Sequence, residues 1–528
     1  MLKPDRLFSD GMVLQQGQVV SVWGLADPGA PVAVTMQGQT AHATADAQGR
    51  WQALCGPFAA SFGEEMTITA PGQQCTLRDV QVGEVWLAGG QSNMEFHMRY
   101  DADFPQEKET CQNPALRFFD YPEVSYPGQI EEADYGKHYG FWRQSTPESL
   151  ERFSAVGYYF AKELQQRYKV PVGVIGCNWG GTPAAAWMSP AAIRAGGGQV
   201  WLDEYAAATR KLDLDAYNAR FAANPQSYQT DLLGSPINDW MMQGCTAAQL
   251  VQKLRELGID LAKIDPAAAA PPMGPKHFCR PGGLYESMVK AVAPYGIRGV
   301  IWYQGESDGD THPETYETLF PALIADWRRL WGRELPFLFV QLAPFERWMQ
   351  CTGERYGIVR TAQQHAADTV PGTALAVTTD VGMQYDIHPK KKQPLGRRLA
   401  LLAENKVYGE KDVVCEAPAL TGLTAADGAL TLTFAHAGAG LYLAPAAPDG
   451  TPFAPGVFSG VQVWQNGAAL DAAALTARAA GNTVTLCGPA IRAGAPTRVE
   501  IAQTPWCQVN LYNSAGIPAR PGCRTANN

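Results

Sequence analysis

Three rhythms of apolar and polar residues divide the chain. Over residues 1–82 short runs alternate: Val19-Val20-Ser21-Val22-Trp23, Val32-Ala33-Val34-Thr35-Met36 and Met66-Thr67-Ile68-Thr69-Ala70. Turn signals such as Asp27-Pro28-Gly29 and Asp46-Ala47-Gln48-Gly49 separate them. Period-two strands at this spacing predict a small N-terminal β-sandwich. Over residues 83–410 the runs become continuously apolar: 84–88, 172–176, 298–303, 335–342 and 373–380. Such runs predict strands buried on both faces. Helical stripes lie between them. Val156, Phe160 and Leu164 follow Ser154, an N-cap residue, and Tyr316, Phe320, Leu323, Trp327 and Leu330 hold a second stripe. Alternating strands and helices predict an α/β domain, a parallel sheet with helices on both faces. A polar, partly helical insertion at about 197–275, with the Ala/Pro run 265–272, interrupts it. From 411 to 528 the alternation returns in 430–434, 461–464, 483–486 and 498–502. This predicts a second β-domain, ending in a tail that reads as loose after about Pro518.

Composition narrows the class. The chain has 528 residues, 46% hydrophobic and 18% charged, enough apolar residues for large cores. A net charge of -9 leaves no basic surplus for nucleic acid. No apolar run reaches the roughly 18 residues that a bilayer span needs, and residues 1–20 lack a signal-peptide pattern. The expectation is a cytoplasmic protein that binds neither nucleic acid nor membrane. The eleven cysteines are scattered, without CxxC or Cys/His ligand spacing. They read as reduced packing residues, and no metal is expected.

Chemistry concentrates at strand ends. Gly90-Gln91-Ser92-Asn93-Met94 follows the apolar run Val85-Trp86-Leu87-Ala88. A buried strand there delivers a serine to a glycine turn, beside backbone N–H groups and a helix start, where a nucleophile and an oxyanion hole share space. Serine needs a base, and the base needs a carboxylate to hold its tautomer. Among eight histidines, His388 stands out in Asp386-Ile387-His388-Pro389, after a strand end and before a helix near Gln393. Asp386 is the nearest orienting acid, with Asp380 its rival. Trp302-Tyr303-Gln304-Gly305-Glu306-Ser307-Asp308 ends another buried strand and offers the Gln304 amide to a developing oxyanion. Asn178-Trp179-Gly180-Gly181-Thr182-Pro183 ends a fourth, where paired glycines let a backbone N–H approach a substrate. Binding sites of open α/β sheets lie at this rim.

The order and spelling of these segments resemble the SGNH-hydrolase superfamily and, more closely, the sialate O-acetylesterase family. The stretches that carry the resemblance are 7–15, 82–95, 179–187, 297–308 and 386–399, the last reading DIHPKKKQPLGRRL. The resemblance implies a flavodoxin-like parallel sheet flanked by two β-domains. It implies a serine esterase that needs no cofactor, with Ser92 as nucleophile, His388 as base, and Gln304 with Gly180 or Gly181 at the oxyanion. The superfamily usually places aspartate three residues before its histidine; here that position is Tyr385, and Asp386 stands two before. The implied substrate is an O-acetylated sialic acid. Arg360 and Arg397 are candidates for its carboxylate, and Trp179, Trp187 and Trp302 for a sugar face. The alternatives are an esterase for acetylated xylan or other glycans, and a non-catalytic glycan-binding protein.

Overall fold

The structure, a computed structural model, describes residues 1–132, 139–223, 236–256 and 272–526. It divides into two compact units, Met1–Ser307 with Thr318–Phe337, and Asp308–Glu317 with Leu338–Asn528.

The first unit is organised by one strand, Gln73–Gly90. Its first part pairs antiparallel with Ser61–Ala70 and leaves Gln73, Gln74, Arg78 and Asp79 exposed, whereas residues 80–90 are buried without a break. The change follows from its neighbours. From Glu84 on the strand runs parallel to Val172–Asn178, and from Trp86 on it also runs parallel to Gly299–Tyr303 on its other side. A strand flanked and covered in this way needs apolar side chains on both faces. The boundary expected between 82 and 83 therefore falls inside a single strand. The other N-terminal strands form a sheet of Lys3–Pro4, Val20–Leu25 and Arg50–Cys55, and a second series in which Pro31–Met36 joins Gln39–Thr44 to Ser61–Ala70.

The strand order in this unit is Trp142–Ser145, Asn113–Asp120, Val172–Asn178, Gln73–Gly90, Gly299–Tyr303. Counting from the strand that bears the serine, the parallel strands run second, third, first, fourth. A flavodoxin-like sheet runs second, first, third, so that expectation is corrected. The physical reason is the hairpin at the edge: Trp142–Ser145 occupies the outer side of Asn113–Asp120, leaving its inner side to Val172–Asn178. The chain returns there through the helix Ala155–Tyr168. Ser154 caps that helix as expected, its Oγ accepting the Gly157 N–H at 3.0 Å, and Phe160 packs edge-on against Trp86. In the insertion the helices Gln199–Thr209, Leu214–Ala223, Pro236–Met242 and Ala247–Glu256 form. Of its Ala/Pro run, residues 265–271 lie outside the described residues.

The second unit contains the strand Thr373–Ala376, shorter than the expected run, and the helices Tyr356–Thr369 and Gln393–Leu402. Its β-portion has two four-stranded sheets. One orders Ala419–Ala426, Ala429–Ala435, Thr483–Cys487 and Thr476–Ala480; the other orders Ala468–Ala469, Val461–Gln465, Thr497–Ile501 and Gly522–Ala526. Leu430, Leu432, Phe434, Val484, Val499 and Ile501 share one core. The expectation of a loose tail is corrected: Gly522–Ala526 pairs with Thr497–Ile501 over five residues, so backbone hydrogen bonds order a segment whose side chains are mostly exposed.

Gly90 ends the central strand at φ +136°, where a Cβ would stand 2.1 Å from the Tyr303 carbonyl oxygen. Both the conformation and the contact exclude a side chain. Gly90→Ala is expected to cost about 3–5 kcal/mol, read as a fall in the urea midpoint at unchanged slope.

Candidate active site

In the first unit the turn after Gly90 places Ser92 at the first position of the short helix Ser92–Glu95, half-buried. Gln91 precedes it, and its backbone N–H donates to Tyr303 O at 3.0 Å. The Gln91 side chain is the knot of the loop. Its Oε1 accepts from Gln304 Nε2, Gly305 N and Ser307 N, each at 3.2 Å. Two backbone donors fix the orientation of that amide, so Gln304 must present its own nitrogen to it. Gln304 Nε2 also donates to the Thr182 carbonyl at 3.1 Å. Both amide hydrogens are thus spent on internal acceptors in a fully buried side chain. Gln304 therefore ties three strand ends together, and in this structure its amide is engaged by Gln91 and Thr182.

The glycine pair is resolved by space. A Cβ on Gly180 would lie 3.2 Å from Ser92 Cβ, whereas Gly181, at φ +74°, is exposed with only Phe278 within reach. Gly180 is the glycine beside the serine. Its N–H donates to Glu95 Oε2 at 2.6 Å, so in this structure a carboxyl oxygen occupies the donor beside the serine. Burial pushes the Glu95 carboxyl up to about 7, against the pull of that N–H and with the nearby Asp120 charge adding to the rise. Burial likewise raises Asp120 to about 6, against the Arg143 guanidinium. The sequence reading missed Gln91 and Glu95, although both flank Ser92 in the stretch that drew attention.

In the second unit His388 is buried beside Asp386. Asp386 Oδ1 accepts the His388 backbone N–H at 2.8 Å and stands 3.4 Å from its Nδ1. Lys390, another residue the sequence reading passed over, holds Asp386 Oδ2 at 2.8 Å. Trp348 meets the imidazole edge-on at 4.9 Å. Burial pushes His388 down to about 4, against the favourable Asp386 carboxylate, which leaves the ring neutral near pH 7. Burial works upward on Asp386, but the hydrogen bond to His388 and the Lys390 charge outweigh it and keep it ionised. The rival acid is corrected: Asp380 is fully buried and spent on Arg398, with oxygen–nitrogen distances of 2.8 and 2.5 Å, and on the Tyr512 hydroxyl at 3.0 Å.

The expected substrate contacts fare unevenly. Arg397 Nη1 donates to the Ala515 carbonyl at 2.8 Å, so it pins a backbone turn rather than awaiting a carboxylate. Trp302 is enclosed by Trp187, Trp327 and Phe337, and Trp187 is itself fully buried with its Nε1 on Thr182 Oγ1. Trp179 is buried and stacks on Phe278 at 5.2 Å. All three serve the core, where a large apolar surface does most for stability. Arg360 is buried, has no carboxylate partner among the described residues and lines a cavity of its own unit. Among the described residues no three His, Cys, Asp or Glu side chains gather to hold a metal ion. All eleven cysteines are free thiols.

Comparison with known proteins agrees with the motifs. The family model described as carbohydrate esterase, sialic acid-specific acetylesterase, matches residues 242–403. By class, then, the chain is a carboxylic ester hydrolase of the carbohydrate esterase kind. The similar curated proteins are sialate O-acetylesterases, in agreement with the resemblance read from the motifs. The mouse (Mus musculus) sialate O-acetylesterase is 28% identical over 463 residues, covering 80% of this chain and 77% of that protein. The human (Homo sapiens) one is 26% identical over 478 residues, covering 81% and 75%. A solved structure described as a novel carbohydrate acetylesterase from Xanthomonas citri is 29% identical, with TM-score 0.71 and 99% of each chain covered.

Two outcomes follow. A carboxyl whose folded pKa is raised contributes stability that is full below its unfolded value, 4.5, and is lost as pH rises through about 7. Glu95→Gln, which keeps an acceptor for Gly180, is expected to raise the unfolding temperature at pH 8 relative to the parent and not at pH 4. Asp380→Asn leaves the buried Arg398 charge uncompensated, and a loss of about 3–5 kcal/mol is expected in denaturant unfolding.

Proposed function

We propose that the chain removes O-acetyl groups from sialic acids through an acetyl-serine intermediate. Ser92 attacks the acetyl carbonyl while His388 Nε2 takes its proton, and Asp386 holds the Nδ1 proton of the imidazole and stabilises the imidazolium. The oxyanion is met by backbone donors, the N–H of Ser92 first. The Gly180 N–H becomes the second donor when the Glu95 side chain swings aside. The sugar hydroxyl leaves with the proton from His388. Water, deprotonated by the same histidine, then attacks the acyl carbon and releases acetate. The observation that carries this reading is the paired state of His388 and Asp386: a buried neutral imidazole beside an ionised carboxylate is a general base ready at neutral pH.

A second reading keeps the chemistry and widens the substrate to other acetylated carbohydrates. The likeness to the Xanthomonas citri carbohydrate acetylesterase favours it. Cytoplasmic location and an SGNH-type arrangement of the site belong to the same proposal, the first supported by composition and the second by the motif order.

Acetate release from an O-acetylated sialic acid, an acetylated xylo-oligosaccharide and an aryl acetate separates the readings. Preference for the first by kcat/KM is expected; equal or better turnover of the xylo-oligosaccharide decides for the second. Ser92→Ala and His388→Ala are each expected to lower kcat by about 10⁴-fold or more, and the double variant by no more than either, because the two act as one unit. Full activity in Ser92→Ala ends the proposal. The acid limb of kcat/KM is expected near pH 4 rather than 6.5, because the base works in its neutral form.

A further inference from the structure

The first unit carries a cleft of about 730 Å³ on the sheet of Lys3–Pro4, Val20–Leu25 and Arg50–Cys55, closed on its far side by Tyr121 and Pro294. The volume falls in the range of small-molecule sites. Neither Ser92 nor Gly180 lines it. Alternation along Val20–Leu25 decides what the sheet presents there. Val20 and Val22 are buried, Trp23 is half-buried and Leu25 is exposed. The register sets Trp23 opposite Gln52, and Leu25 between Arg50 and Lys3. Directly paired residues share a face, so an indole, an amide and two cations stand together. Lys3, Arg6, Arg50 and Gln52 are all exposed and within reach of a ligand.

The ring is held in place. Trp23 meets Phe8 edge-on at 4.6 Å and Tyr295 at 6.3 Å, and its side chain hydrogen-bonds to Asp5. The charges are unevenly matched. Arg50 is spent on Asp46 at 3.0 Å. Lys3 and Arg6 both bear on Asp5, which burial raises above its ordinary value against their pull. Among the described residues neither cation forms an ion pair. Two cations facing one carboxylate leave a surplus positive charge in a chain whose net charge is -9. A cleft concentrates such a field on an incoming anion. Gln52 Nε2 donates to Ser21 Oγ at 2.8 Å, which leaves Gln52 Oε1 to accept from a hydroxyl.

We propose that this cleft binds an acidic sugar residue, its carboxylate between Lys3 and Arg6, its ring against Trp23 and a hydroxyl on Gln52 Oε1. An inorganic anion answers only the two cations, and a neutral sugar only the indole and the amide. A sugar carboxylate answers all four. The site is separate from the ester-cleaving residues and does not rest on the activity proposed for them.

The test is calorimetric titration of the full chain with glucuronate, glucose and acetate. Glucuronate is expected to bind saturably, and glucose and acetate at least about tenfold more weakly. The double variant Lys3→Ser with Arg6→Ser changes two exposed side chains, so folding is secure. It is expected to weaken glucuronate at least about tenfold while leaving aryl acetate hydrolysis unchanged. Gln52→Leu, also exposed, is expected to weaken it about threefold. Absence of saturable heat with glucuronate overturns the proposal. So does undiminished binding in the double variant, which would place glucuronate elsewhere on the chain. Acetate binding as tightly as glucuronate overturns the role of the ring, and glucose binding as tightly overturns the role of the cations.

Discussion

At Gly90 the backbone turns with φ +136°, and the Tyr303 carbonyl lies where any Cβ would go. The serine loop exists because of that contact. The central strand ends against the neighbouring strand's last carbonyl, and the chain must leave the sheet at once. Gln91 then binds the turn from both sides, its main chain on Tyr303 and its side chain on the amides of Gln304, Gly305 and Ser307. Asn178 and Trp179 complete the tie, through bonds to the carbonyls of Ala88 and Gly90. Ser92 is thus held by three strand ends.

The polar residues at this rim divide into those that hold and those that are free to act. Gln304 looked like a donor for chemistry because it is a polar side chain at the end of a buried strand. The network shows instead why such a residue is needed structurally. Three strands ending together leave carbonyls and amides that a buried loop must satisfy, and an amide side chain can do both. Glu95 is the opposite case. It lies one helical turn beyond Ser92 and places a carboxyl, raised to about 7, on the Gly180 N–H. A carboxyl that titrates near neutrality holds that N–H most strongly when it is charged.

Much of this was legible beforehand, for local reasons. The Ser154 cap, the stripe through Phe320, Leu323 and Trp327, and the switch from alternating to continuous apolar runs near residue 83 all report burial that a short stretch of chain already encodes. Asp386 beside His388 was legible because two residues in one loop cannot be far apart. The strand order was not, since it depends on which edge the hairpin at Trp142–Ser145 covers. Nor was the ordered C-terminal strand, whose middle residues are exposed and which is ordered by its backbone pairing with Thr497–Ile501.

The sequence by itself determined the kind of elements and the class of chemistry, because periodicity and motif spelling are properties of neighbouring positions. Only the tertiary structure decided what each polar side chain is spent on. It assigned Asp380 to Arg398, Gln304 to Gln91 and Thr182, and Arg397 to a turn, and it left Arg360 with a cavity instead of a carboxylate. Hydrogen bonds are short and directional, and their partners here lie tens to hundreds of residues apart in the chain, so no local pattern carries that information.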